Sequence, residues 1–186
     1  MFLADADIRH FREIGALNIE PWTPDPQLQA ASYDLTLGRY WRFPHEPQGW
    51  KHEMTDEGFL LPPGAFILLH TAETVTLGSR TMGFVCGKSS RAREGWQIES
   101  AGLVDPGFSG ELVLEVKNLL PNYEELMGYE PDPRIPYQNH LRIKPGMKIA
   151  QIYFGELRSA ALRPYGHPEL GSHYQGQEGP VGSRDR

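Results

Sequence analysis

ELVLEVKN, residues 111–118, alternates apolar and polar positions one by one. A β-strand sends successive side chains to opposite faces, so Leu112, Leu114 and Val116 share one face and Glu111, Val113, Glu115 and Lys117 the other. The first face suits a core. The second carries two carboxylates, and spacing alone leaves them either on a wet surface, where most carboxylates lie, or lining a pocket. Just upstream, Asp105-Pro106-Gly107-Phe108 is a turn: Pro fixes φ and Gly tolerates left-handed geometry. Asp105 follows the apolar Leu103 and Val104, and reads either as a cap of that turn or as a functional carboxylate.

Further upstream, residues 87–95 read GKSSRAREG, where a strand ends in a polar turn and a short helical stretch. Lys88, Ser89 and Ser90 can form an ordinary N-cap with a solvated lysine, or turn free amides and a positive charge toward an anion. The same punctuated pattern covers the chain. The 20 glycines and 16 prolines are spread throughout and separate short segments rich in β-branched and aromatic residues, which read as strands joined by turns. Candidate strands fall at residues 32–37, 40–43, 65–70, 74–77, 83–86, 97–100, 111–117, 140–143, 148–154 and 161–163. A helix capped by Asp5 and ended by Gly15 opens the chain. So many strands and so little helix predict a sandwich or barrel. Residues 119–139, rich in Pro and acidic residues, read as a surface excursion. From Gly166 the chain is almost free of aliphatic residues and, taken alone, reads as a disordered tail.

With 186 residues, 39% of them hydrophobic, the chain fits one domain with a real core. No apolar run approaches the roughly 20 residues of a membrane-spanning helix. MFLADADIRHF resembles no secretory or transit signal, so a cytoplasmic protein is expected, with no membrane partner. A net charge of -6 disfavours general nucleic-acid binding. The single cysteine, Cys86, cannot form an intrachain disulfide or a multi-cysteine zinc cluster; in MGFVCG it reads as strand packing rather than a nucleophile.

Taken together, the segments resemble the dCTP deaminase branch of the dUTPase superfamily, in motif order, over nearly the whole chain. DADIRHFREIGALNIEPW resembles that family's opening helix and strand, and ASYDLTLG (residues 31–38) its first motif. GKSSRAREG resembles the serine-arginine signature, AGLVDPGFSGELVLEVKN the catalytic turn and strand, and IKPGMKIAQIYF the later strand. RPYGHPELGSHYQGQEGPVGSR resembles the C-terminal arm that closes on the nucleotide. GKSS, AGLVDPGFSG and YQGQ, in this order, are the specific strings; ASYDLTLG alone is weak.

The resemblance implies a mainly β fold, a distorted β-barrel or jelly-roll of the dUTPase-like (β-clip) kind with a few short helices. Residues 1–165 would form the domain and 166–186 a flexible arm. It implies a homotrimer with active sites between subunits, dCTP as substrate and dTTP as an inhibitor of the same site. Glu115 would be the general base, Ser89 and Arg93 would position the water and the cytosine amino group, and the Ala101 backbone would help hold the water. Lys88 and Ser90 would face the triphosphate, joined from the arm by Tyr165, His173 and Gln177, while Val113 and Leu114 would border the nucleotide. Magnesium would arrive on the triphosphate, with no protein metal site.

The residues fit one route to this chemistry. Many nucleobase deaminases activate water with zinc in an H-x-E…P-C-x-x-C pattern, and His167-Pro168-Glu169 has no C-x-x-C to complete it. A carboxylate is left to activate the water. His173 stands where the family usually has lysine, and Glu178 where a basic or neutral residue is common, which predicts weaker or pH-dependent phosphate binding. The first expectation is hydrolysis of dCTP to dUTP and ammonia. The alternative is direct formation of dUMP: the dUTPases use an aspartate at the position of Asp105 against the α-phosphate, and Gly102-Leu103 replaces the bulky basic pair of single-activity deaminases. A plain dUTPase and a catalytically inactive nucleotide-binding relative are the other readings.

Overall fold

The structure, a computed structural model, describes residues 1–99, 102–121 and 139–184. Its elements run α1 (Asp5–Glu13), β1 (Leu17–Glu20), α2 (Pro24–Gln27), β2 (Leu28–Gln29), β3 (Ser32–Arg42), β4 (His52–Glu53), β5 (Phe59–Leu61), β6 (Phe66–Leu77), β7 (Thr81–Gly87), α3 (Ser89–Arg93), β8 (Trp96–Glu99), β9 (Leu103–Val104), β10 (Ser109–Asn118), β11 (Leu141–Ile143) and β12 (Lys148–Glu156). One sheet has ten strands in the order β8-β10-β6-β3-β12-β7-β9, with β1 added to β6 and β2 and β4 to β3; β5 pairs with β11 apart from it. These pairings are antiparallel.

β3 curls the sheet. Residues 33–36 pair with β12, while Leu37, Trp41 and Arg42 pair with β6, so one strand changes partner midway. The result is the mainly β architecture expected, a curled antiparallel half-barrel with three short helices among the described residues. Leu35, Ile67, Leu69, Leu114, Ile152 and Phe154 are fully buried inside the curl. Each such side chain contributes about 1.5–3 kcal/mol by leaving water. No helix among the described residues is long and apolar enough to cross a membrane.

The differences from the expected strands have local causes. The strands expected at residues 65–70 and 74–77 form one strand, β6, starting at Phe66, because the polar stretch between them is satisfied inside the sheet. Glu73, 1% exposed, accepts from Gln27 Nε2 at 2.7 Å, the Thr36 amide at 2.9 Å and Thr36 Oγ1 at 2.7 Å. A buried carboxylate saturated with donors does not break a strand. Residues 32–37 and 40–43 likewise merge into β3, and the expected strand at 97–100 is β8, Trp96–Glu99, with Ser100 outside the described residues. The expected strand at 161–163 does not form: the Ala161 amide bonds to the Ser79 carbonyl, and Leu162 is 96% exposed. Asp5 opens α1 rather than capping it. Ala4 is the N-cap, and Asp7 accepts its amide at 3.0 Å.

The tail, polar as it is, folds back along β10 through residue 184, with Gln177, Gly179, Pro180 and Gly182 buried. Most of the expected excursion, residues 122–138, lies outside the described residues.

Candidate functional site

The turn before β10 is fixed by close packing. Gly107 has φ +90, and a Cβ there would lie 2.7 Å from Pro164 Cβ and 2.8 Å from the Tyr165 carbonyl oxygen, so only glycine fits. The Phe108 amide bonds back to the Asp105 carbonyl at 3.1 Å, and the Tyr165 amide to the Pro106 carbonyl at 2.7 Å. Beyond the turn the β10–β6 register shifts between Glu111 and Val113. Within that shift the Leu112 amide donates to Thr71 Oγ1 at 2.9 Å instead of to a ladder carbonyl.

A cavity of about 570 Å³ opens between β10, β6, the β7–β9 edge and the tail, a size that suits a small-molecule ligand. Five of the residues expected to serve the nucleotide line it: Glu115, Val113, Asp105, Tyr165 and Gln177. Glu115 is half-buried, with Oε2 shut off from solvent. Asp105 stands exposed at the turn. Phe66, Leu68, Val85 and Val104 add apolar wall, which raises the strength of any charge interaction made inside.

The other expected residues lie elsewhere. Lys88, Ser89, Ser90 and Arg93 do not line this cavity. They sit on and before α3, which precedes β8 at the end of the ladder where Asn118 pairs with Trp96. Ser89, Ser90 and Arg93 are exposed, and neither serine caps the helix, whose N-cap is Lys88. Lys88 Nζ bonds Asp34 Oδ1, and Lys148 Nζ lies 3.4 Å from Asp34 Oδ2. The Leu114 side chain is fully buried in the core, away from the cavity. His173 is exposed on the tail, its carbonyl accepting Arg184 Nη1. Ala101 lies outside the described residues. Cys86 is on β7 with Gln151 Nε2 3.3 Å from its sulfur, and it does not border the cavity.

Three residues that sequence reasoning did not single out shape the site. Asp34, in ASYDLTLG, is 2% exposed and holds Lys88; an aspartate inside an apolar strand was the available signal. Glu111, on the same strand face as Glu115, ties the tail down. Its amide donates to the Gln177 carbonyl at 3.0 Å, its carbonyl accepts Gln177 Nε2 at 2.7 Å, and its Oε2 accepts the Gly179 amide at 2.5 Å. His70, 5% exposed, places Nδ1 2.7 Å from the same Oε2. Burial pushes the Glu111 carboxyl up, but the His70 ring, the Gly179 amide and the Lys51 charge together outweigh it and hold the carboxyl below its ordinary range.

The cavity is acidic. Among its described lining residues are Asp105 and Glu115 but no Lys or Arg. Among the described residues no group of three or more His, Cys, Asp or Glu is placed to hold a metal ion.

Residues 2–122 match the family described as dCTP deaminase-like. The chain is 38% identical to the dUMP-forming dCTP deaminase of Bifidobacterium longum (strain DJO10A), over 99% of this chain and 94% of that protein. Among solved structures, the 2'-deoxycytidine 5'-triphosphate deaminase of Agrobacterium tumefaciens superposes with a TM-score of 0.62 at 20% identity, covering 82% of this chain but 47% of that one, so this chain spans about half its length. The dUTPase from phage phi11 of S. aureus superposes with a TM-score of 0.52 at 17% identity, covering 78% of this chain and 93% of that one. The two superpositions carry the fold, which is dUTPase-like.

Proposed function

Because this chain belongs to the dCTP deaminase-like family, we propose that it is a hydrolase that deaminates dCTP and carries the product on to dUMP. One observation carries the reading: Glu115 and Asp105, one carboxylate for each hydrolysis, line the same cavity. The name of the B. longum relative, alike over nearly the full chain, supports dUMP over the dUTP first expected.

In the first step Glu115 takes a proton from water as the oxygen adds to C4 of cytosine, and returns it to N3. Glu115 then takes the proton of the new C4 hydroxyl and passes it to the amino group, the C4–N bond breaks, ammonia leaves and a uracil carbonyl remains. Ser89 and Arg93 orient the water and the amino group. In the second step Asp105 takes a proton from a water as its oxygen bonds to the α-phosphorus, the bond to the bridging oxygen of the β-phosphate breaks, and diphosphate leaves; any magnesium would come as part of the triphosphate substrate.

Charge argues that one chain does not make the whole site. A triphosphate needs cations, and the described cavity wall offers none, while Lys88, Ser89, Ser90 and Arg93 lie together on a segment that does not reach it. A second copy presenting this segment to the cavity completes it. The family resemblance supports a homotrimer as that assembly, with Tyr165, Gln177 and His173 carried by a tail that would close over the nucleotide and with dTTP as a competing occupant. Incubation with dCTP should release ammonia and diphosphate in equal amounts. Ammonia with accumulating dUTP and no diphosphate defeats the second step; diphosphate from dUTP with no ammonia from dCTP makes the protein a dUTPase.

A further inference from the structure

A buried histidine stands behind the carboxylate that holds the tail. His70 is on β6, and its ring fills the space beside Gly38: a Cβ on Gly38 would lie 2.0 Å from His70 Cε1. The Tyr40 amide donates to His70 Nε2 at 3.1 Å, so Nε2 carries no proton and the proton is on Nδ1, the atom that faces Glu111 Oε2 at 2.7 Å. Tyr40 also stacks on the ring at a centroid distance of 6.0 Å. The imidazole is thus held on three sides. Glu111 Oε2, 2.7 Å from Nδ1, also accepts the Gly179 amide.

We propose that the His70–Glu111 pair is a latch that docks the C-terminal tail and thereby sets nucleotide affinity, with Glu111 a positioning residue acting through Gln177 and Gly179. Glu111 touches the tail at three points, two by backbone and one by carboxylate. The backbone bonds survive any side chain at this position. The carboxylate bond does not, and it fixes the segment just past Gln177, a buried residue that lines the cavity. A tail already docked spends less ordering entropy when nucleotide binds. The inference rests on the reading above that the tail closes over the nucleotide.

The test uses the full chain with Glu111→Ala, Glu111→Gln and His70→Gln. In Glu111→Ala, amide exchange over residues 174–184 without nucleotide should speed up about tenfold, a loss of about 1.4 kcal/mol. The KM for dCTP should rise by a similar factor with kcat within about twofold, because the latch contributes binding rather than chemistry. Glu111→Gln, whose amide oxygen can still accept both donors, should recover most of the protection, and His70→Gln should lose part of it. Unchanged tail exchange in Glu111→Ala overturns the latch, as does a fall in kcat at constant KM, which would put Glu111 in the chemistry. If tail exchange speeds up as expected but the wild-type protein releases no ammonia from dCTP, the functional reading fails and the latch stands. Ammonia release with an unmoved tail does the reverse.

Discussion

Two polar segments carry the expected chemistry, and one chain treats them differently. Residues 111–118 run in β10, between β6 and the edge strand β8, with Val113 and Glu115 facing a cavity and Leu114 buried behind them. Residues 88–93 form a short exposed helix that does not line that cavity. The first segment is placed by its own pleat, which is local. The second depends on what is docked against the outside of the fold. The lesson is that alternation tells from sequence which residues share a strand face, and the fold then decides that the face meets a cavity, whereas a surface segment gains its role only from whatever packs on it.

The predictions press on that contrast, beginning with the strand. Glu115→Gln keeps the shape and removes the proton acceptor, so ammonia release from dCTP should fall about a thousandfold, within the usual worth of a general base, while dCTP binding measured by calorimetry survives. Turnover within a few fold of wild type would remove Glu115 from the mechanism. Asp105→Asn, on the turn rather than the strand, should leave ammonia release nearly intact and cut diphosphate release by about a hundredfold. Loss of both products together would merge the two steps into one carboxylate's work.

The smallest effect concerns the tail and pH. The Glu111 carboxyl is held below its ordinary value of 4.5 in the folded chain. A depressed carboxylate contributes stability that is fully present above the unfolded value and is lost as pH falls through the folded one. Tail protection in wild type should therefore persist from neutral pH down to about 4.5 and decline below it, whereas in Glu111→Ala it should be low throughout. A wild-type profile that instead declines between pH 8 and 6 would assign the switch to another group.

Much of this was legible in the sequence, for particular reasons. The strand at residues 111–118 was plain because alternation is a local property, and the turn at Asp105 because Pro and Gly announce it. The unbroken course of β6 was hidden, because Glu73 looks like a breaker until Gln27 and Thr36 are seen to saturate it. Glu111 could be placed on the polar face of its strand but given no role, since its partners come from β6 and from the tail. The tail's own composition could not reveal that its carbonyls and amides would be answered by Ser109 and Glu111. The position of Lys88, Ser89, Ser90 and Arg93 relative to Glu115 was illegible, since nothing in their spacing says which surface they meet.

The most direct test of the account mixes two disabled proteins. Glu115→Gln and Arg93→Ala, each nearly inactive alone, are combined, allowed to exchange subunits and assayed for ammonia from dCTP. If the cavity of one copy is completed by the helix of another, some mixed sites contain both native residues, and activity should return to a substantial fraction of wild type. Exchanged subunits, verified by mass, that release no more ammonia than either variant alone would contradict it and place both residues in a site made by a single chain.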